Sequence, residues 1–501
     1  MRSPRSWVLA ATILGSSLTF IDATVVNVAL PALQADLHAT ITEVQWVIEA
    51  YALFLGALIL VGGSMGDQFG RKRVFLAGVA FFTGASIFCG LATSAASLIV
   101  GRALQGIGAA FLVPGSLAII SAAFPEPDRG RAIGTWSGFS SITAAIGPVT
   151  GGWLIEHVSW RAVFFLNVPL AAVVLALSVR FMGESRDASR SDRIDWNGAA
   201  LAVLGLGGVV FGLLEWPPRG GSDSLVLAAL GIGMVALVLF VAAERRASNP
   251  MLSLSLFQSR TFALANLLTL LLYAALAVVF FLVPMNLIQV QGYTATEAGA
   301  ALLPFPLIMF VLSRWSGGLV ARVGSRLPLT AGPIVTAVGV ALYARPGIGG
   351  SYWTTFFPAV VVLGYAMAIT VAPLTTTVMG AVESQHAGVA SGVNNAVSRV
   401  AGLLAIALLG VVLVQAFDAR VNASLDGLRL PTSTRTAIDR ELPKLAGADV
   451  DAALPRDAFP RAAVRASIAD AFVWAFRVVL IITAAVALMS AFVGALLPRR
   501  R

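Results

Sequence analysis

Charge is scarce in this 501-residue chain: Asp, Glu, Lys and Arg together make up 12% of it, about half of what a soluble domain carries. With 58% hydrophobic residues and a mean hydropathy of +0.86, most of its length has no water-facing surface to offer. Cysteine is nearly absent. The single Cys89 lies in an apolar run, which excludes disulfides and cysteine-rich metal sites. Histidine is equally sparse, and His38, His157 and His386 are far apart, so neither a metal nor any other cofactor is expected. No H-E-x-x-H, Walker or G-x-S-x-G pattern occurs, and nothing pairs a nucleophile with a base, so the chain does not read as an enzyme. Acidic residues are rarest towards the end. Between 262 and 497, outside 418–470, there are only Glu297, Glu383 and the boundary residue Asp470.

What is present is a succession of long apolar runs. A helix needs about 20 such residues to cross the hydrocarbon core, and helices are expected because isolated strands would leave backbone groups unpaired in lipid. The candidate spans are 7–30, 45–65, 74–94, 97–122, 132–155, 162–181, 196–215, 225–243, 262–284, 299–320, 328–345, 353–379, 389–417 and 471–497. Arg2 and Arg5 precede the first run as in a secretory leader. Asp22 and Asn27 interrupt it, however, and no small-residue cleavage site follows, so it reads as a membrane helix.

The net charge of +9 does not indicate a nucleic-acid partner, because the basic residues fall between spans. Arg2, Arg5, Arg71, Lys72, Arg73, Arg129, Arg131, Arg186, Arg190, Arg193, Arg245 and Arg246 share one side. The short loops of the other side hold only Arg161, Arg219 and Arg345. The positive-inside rule then puts both termini in the cytoplasm, which requires an even number of spans.

Transporters are often built from duplicated halves. The segment from Gly63 through Asp67, Gly70, Arg71 and Lys72 has an echo at Gly317, Ala321, Gly324, Ser325 and Arg326. The offset exceeds six spans by about the length of the two spans within 182–261. The expected architecture is therefore six plus two plus six: an N-terminal bundle over 1–181, a two-helix insertion over 182–261, and a C-terminal bundle over 262–501 that includes a long outer loop, 418–470.

Several ordered motifs resemble the major facilitator superfamily, and within it the fourteen-helix drug:proton antiporter family. They are Asp22 to Pro31 in span 1, Gly63 to Arg73 after span 2, Arg102 to Gly106 in span 4, Gly147-Pro148 with Gly151-Gly152 in span 5, and Trp160-Arg161 through Asn167 to Pro169 at span 6. Gln68, Thr143 and Ala321 depart from the family pattern. The resemblance implies an all-α polytopic membrane protein of the major facilitator fold that exports small lipophilic or cationic compounds in exchange for protons. It implies a multi-pass protein of the bacterial inner (plasma) membrane, working as a monomer. An exporter dedicated to one metabolite or self-made antibiotic, and a non-transporting membrane sensor, are the alternatives.

Each motif has a physical reading. Asp22 lies fifteen residues after Trp7, roughly 22 Å along a helix, where a carboxylate is costly unless neutralised or paired. It is the first candidate for proton coupling. Glu49 and Arg102 enter spans 2 and 4 to similar depth, so a carboxylate–arginine cluster of Asp22, Glu49 and Arg102 is expected. Gly63, Asp67, Gly70, Arg71 and Lys72 form a gating loop, with Gly70 permitting a tight turn and Asp67 capping a helix or pairing with Arg131. Arg73 reads as a plain anchor. Gly147, Pro148, Gly151 and Gly152 should bend span 5 and give it a smooth face for close helix packing. With no mid-membrane carboxylate of its own, the C-terminal half is expected to supply gating and pocket walls, from residues such as Asn266, Tyr273, Asn286, Gln289, Tyr365, Asn394 and Asn395.

Overall fold

The computed structural model describes residues 4–186, 195–247, 250, 252, 254–382, 387–454 and 461–498. Helix follows helix along the described residues: α1 (Pro4–Leu37), α2 (Ile41–Phe69), α3 (Arg71–Gly90), α4 (Ala95–Ala123), α5 (Glu126–His157), α6 (Ala162–Phe165 and Asn167–Phe181), α7 (Trp196–Arg219) and α8 (Ser224–Arg246). There follow α9 (Arg260–Met285), α10 (Ala295–Ala301 and Pro304–Gly317), α11 (Arg326–Tyr343), α12 (Phe357–Gly380), α13 (Ala387–Gly427) and α14 (Arg461–Ala495). Thirteen helices among the described residues are long and apolar enough to cross a membrane. Helix α5, rich in Gly and Ser, lies outside that set yet runs unbroken for 32 residues.

Local sequence explains where these helices begin. Thr40 and Glu43 form a reciprocal capping box at α2, as do Thr294 and Glu297 at α10. Asp195 and Asp223 cap α7 and α8. Each supplies acceptors to amide groups that have no partner within the helix. Prolines 31, 114, 148, 284, 333 and 373 all sit inside helices. Neighbouring helices make that tolerable in a membrane protein. Pro148 therefore does not interrupt α5. After Pro284 the chain passes into a π-helical turn, Asn286–Val290.

Helices α1 to α6 pack on one another chiefly through α2 on α4, α3 on α4, and α5 and α6 on α1. A second set joins α9, α10, α11, α12, α13 and α14. The sets meet along two seams, α2 against α13 and α5 against α10. Helices α7 and α8 pair with each other, and α7 lies over the α2–α13 seam. Burial follows from these positions. The most apolar window of α2 is 67% buried within the protein, whereas that of α8, with mean hydropathy 2.9, is only 17% buried. Exposed Leu225, Ile232, Val235 and Val238 on α8 thus form a lipid-facing stripe.

Two boundaries differ from the sequence reading. Helix α13 continues ten residues beyond its expected end at 417, and α14 begins at Arg461 rather than 471. Residues 461–470, expected in the outer loop, are the first turns of α14. Polar residues can extend a membrane helix beyond the bilayer, and an apolar count does not register them. Between α13 and α14 the chain forms a helix Thr432–Asp439, a 3₁₀ turn Leu442–Gly447 and a short helix Val450–Ala453. Leu445 in the 3₁₀ turn is fully buried, and the turn packs on α1, α2, α13, α14 and the π-helical turn. This end of the molecule is termed the loop face; the opposite end, where α1 begins and α14 finishes, is the terminal face.

Candidate functional site

Asp22, 2% exposed, sits inside the first bundle beneath the α1–α4 contact. Arg102 of α4 donates to its Oδ2 at 2.6 Å, and Gln105, one turn on, donates to Oδ1 at 2.8 Å. Asn167 at the start of the second part of α6 reaches Oδ1 at 3.4 Å and Ser86 of α3 at 2.9 Å. Arg102 Nε donates to the Val47 carbonyl of α2 at 3.0 Å, and its Nη1 also donates to Gln105 at 2.6 Å. Below the guanidinium lies the Tyr51 ring, 4.3 Å from Cζ to centroid. Five helices thus contribute to one dry polar network with a single ion pair at its centre. Such a pair stands only because further hydrogen bonds satisfy both partners.

Glu49 does not join it. The carboxyl is fully buried, and neither oxygen has a hydrogen-bond partner among the described residues. The cause is helix geometry. Gln45, one turn earlier, lies against Gly410 of α13, while Leu53, one turn later, clusters with Leu403 and Ala407 of α13. Residues four apart share a face, so Glu49 is turned to the seam between the halves and away from Asp22. Depth alone, the basis for expecting a three-residue cluster, carries no information about this rotation. Gln105, Asn167, Ser86 and Tyr51 were missed. The signal available for the first three was a polar side chain inside an apolar run.

At the terminal face, Gly70 adopts φ +108°, a conformation suited to glycine, and turns the chain into α3. Its counterpart Gly324 has φ +76° and leads into α11, so the echo repeats a backbone shape as well as residue types. Asp67 is paired with Arg71 at 2.8 Å, four residues on. The expected alternative partner, Arg131, has its side chain outside the described residues. Glu184, unremarked in the sequence, accepts from the Lys72 and Arg73 amides and so caps α3, while Lys72 Nζ donates to Met182 O at 2.7 Å at the end of α6. The loop is thereby tied within its own half. Gly63 packs near Pro114 of α4, and the Arg73 side chain is 80% exposed, as an anchor would be.

The span 5 motif lies on both sides of a seam. A Cβ on Gly147 or Gly151 would collide with Thr24 or Val25 of α1. On Gly152 it would overlap the Ala295 carbonyl of α10, and on Gly299 of α10 the Pro148 carbonyl. Helix α5 is therefore held against α1 within its half and against α10 of the other half, backbone to backbone. Nearby, Thr296 donates to Glu156 at 2.6 Å, Gln289 to Gln34 at 2.7 Å, and Gln34 to the Lys444 carbonyl at 3.1 Å. The two halves and the loop are thus joined at the loop face.

In the second half Asn394 of α13 donates to Asn266 at 3.1 Å and to Thr269 at 2.7 Å, both on α9. These expected lining residues hold two helices together. Tyr365 is 45% exposed on α12.

Apolar helices wrapped around an ion pair at mid-depth, with two sets of helices meeting at glycine seams, define the class: a polytopic membrane transporter built of two bundles. Comparison with known proteins narrows it. The Major Facilitator Superfamily model matches residues 12–406, and the chain belongs to that family, which makes it a transporter and not an enzyme. It is 36% identical over 419 residues to "Multidrug resistance protein Stp" of Mycobacterium tuberculosis, covering 83% of this chain and 78% of that one. It is 33% identical over 415 residues to "Tetracenomycin C resistance and export protein" of Streptomyces glaucescens, covering 82% and 76%. A bacterial homologue of the human lysosomal transporter Spinster shares the fold, with TM-score 0.66 at 19% identity and 98% of each chain covered.

Proposed function

We propose that this protein exports small, largely apolar compounds across the bacterial plasma membrane in exchange for protons, working as a single chain with both termini in the cytoplasm. The observation carrying this reading is the pair of buried carboxyls in opposite surroundings: Asp22 bound by Arg102, Gln105 and Asn167, and Glu49 with no partner. An unpartnered buried carboxyl is an expensive place for negative charge. In the proposed cycle Glu49 holds its proton at the seam, and protonation of Asp22 frees Arg102 to change partners. That exchange favours the alternative arrangement of the two bundles, which rock about a central gap. Residues 1–181 and 262–501 act as those bundles, and 182–261 as an insertion braced over one seam. The glycine contacts of α5 with α10 keep the loop face sealed in the present arrangement.

Relatives named for resistance to, or export of, tetracenomycin C, puromycin and methylenomycin A support an exporter of antibiotic-like compounds. Expression in a drug-sensitive bacterium should raise tolerance to one or more of these, and proteoliposomes should release protons when that compound is added. Asp22→Asn should abolish efflux driven by a pH gradient while the protein still purifies as a folded species. Proton-coupled efflux retained in that variant would overturn the assignment of Asp22.

A further inference from the structure

Arg399 lies on α13, twelve residues from its start at Ala387, or roughly 18 Å into the helix. That is too deep for the side chain to reach the terminal face, and an arginine facing lipid at this depth is strongly disfavoured. It is nevertheless partly exposed and makes no ion pair or hydrogen bond with any described residue. The other charges at this depth are closed off. Asp22 and Arg102 are 2% and 1% exposed and occupied with each other, and Glu49 is fully buried. Among the described residues, the charge available to a compound between the halves is therefore positive.

Its surroundings come from both halves. The Arg399 Cβ stands 3.4 Å from the place a Cβ would occupy on Gly56 of α2. Its charge reaches the phenols of Tyr51 on α2 and Tyr273 on α9, one from each half, and the Tyr51 hydroxyl has no partner. The helix itself supplies a second, independent sign. Ser391 and Asn395 precede Arg399 at offsets of 8 and 4 residues, and Asn395 is exposed. Residues four apart share a helix face, so the three form a polar stripe of the kind that faces a bundle interior or a watery path. It runs from the terminal-face end of α13 and finishes at the guanidinium.

We infer that Arg399 is the recognition group of the cargo site, and that the site takes small apolar compounds presenting a carboxylate or comparable acidic oxygen pair. A guanidinium offers a planar fork of donors that matches two oxygens. The inference rests on the exporter reading and narrows its largely apolar cargo to compounds that carry an anionic group.

The test is equilibrium binding to the purified full-length protein in detergent, followed by tryptophan fluorescence and calorimetry, with two probes of like size and opposite charge. 1-Naphthoate should bind more tightly than 1-naphthylmethylammonium. Arg399→Gln should weaken naphthoate about tenfold to a hundredfold, in line with loss of a charge-assisted pair, and leave the ammonium probe within about twofold. Arg399→Lys, which keeps the charge but not the fork, should fall between. Preference of the native protein for the ammonium probe, or equal loss of both probes in Arg399→Gln, would overturn the inference. The latter result would mark Arg399 as a strut between the halves. Because binding is read without transport, failure here leaves the exporter reading to stand or fall on the efflux assay.

Discussion

The two halves share a fold and handle charge in opposite ways. In the first, Asp22 and Arg102 are locked into a dry network drawn from α1, α2, α3, α4 and α6. In the second, among the described residues, no carboxylate lies at that depth, neutral amides tie α9 to α13, and Arg399 stands without a counter-ion. A charge satisfied from every side can store or release a proton but offers nothing to a visiting molecule. A charge left unmatched between the halves offers recognition. On the proposed reading, coupling belongs to the first set of helices and cargo selection to the second.

That contrast can be broken most forcefully at Arg102. Arg102→Leu leaves Asp22 buried without its cation, and the loss of one member of such a pair typically costs about 3–5 kcal/mol. The thermal transition in detergent should fall sharply. Combining it with Asp22→Leu should recover much of the loss, because two apolar side chains leave no stranded charge. A double variant no more stable than Arg102→Leu would show that the other donors, not the ion pair, hold this bundle together.

A smaller effect is expected at the seam joining the halves. Gly152→Val drives a side chain into the Ala295 carbonyl, an overpacking worth about 1–3 kcal/mol. It should push the α5–α10 contact apart while leaving the Asp22 network intact. A disulfide between cysteines placed at Glu156 and Thr296, whose side chains hydrogen bond at 2.6 Å, should form readily in the parent protein and slowly in the variant. Equal rates would mean that the closed loop face does not depend on this glycine.

The smallest shift should follow loss of the Gln34–Gln289 bridge. Gln34→Ala removes two hydrogen bonds, one to Gln289 and one from its amide to the Lys444 carbonyl, each worth about 1 kcal/mol net. Hydrogen exchange over 442–447 should accelerate while exchange in α1 to α4 stays unchanged. Faster exchange in both regions would show that the loop braces the whole first bundle as well as covering its end.

Composition and the spacing of apolar runs, by themselves, determined that the chain is a bundle of membrane helices. The reason is solvent: lipid admits closed backbone hydrogen bonding and little else, so an apolar run of sufficient length has one fate. The repeat was legible too, because a turn with positive φ favours glycine, at Gly70 and again at Gly324. The pairing of Asp22 with Arg102 could be anticipated from their depth. Rotation about each helix axis could not. It depends on how each helix packs on its neighbours, and it decided that Glu49 faces α13 while Gln105 and Asn167 face Asp22. Distance along the chain hid the rest: Glu184 capping α3, Lys444 accepting from Gln34, and Arg399 packing against Gly56 are contacts between segments far apart in sequence. Only the folded bundle brings them together.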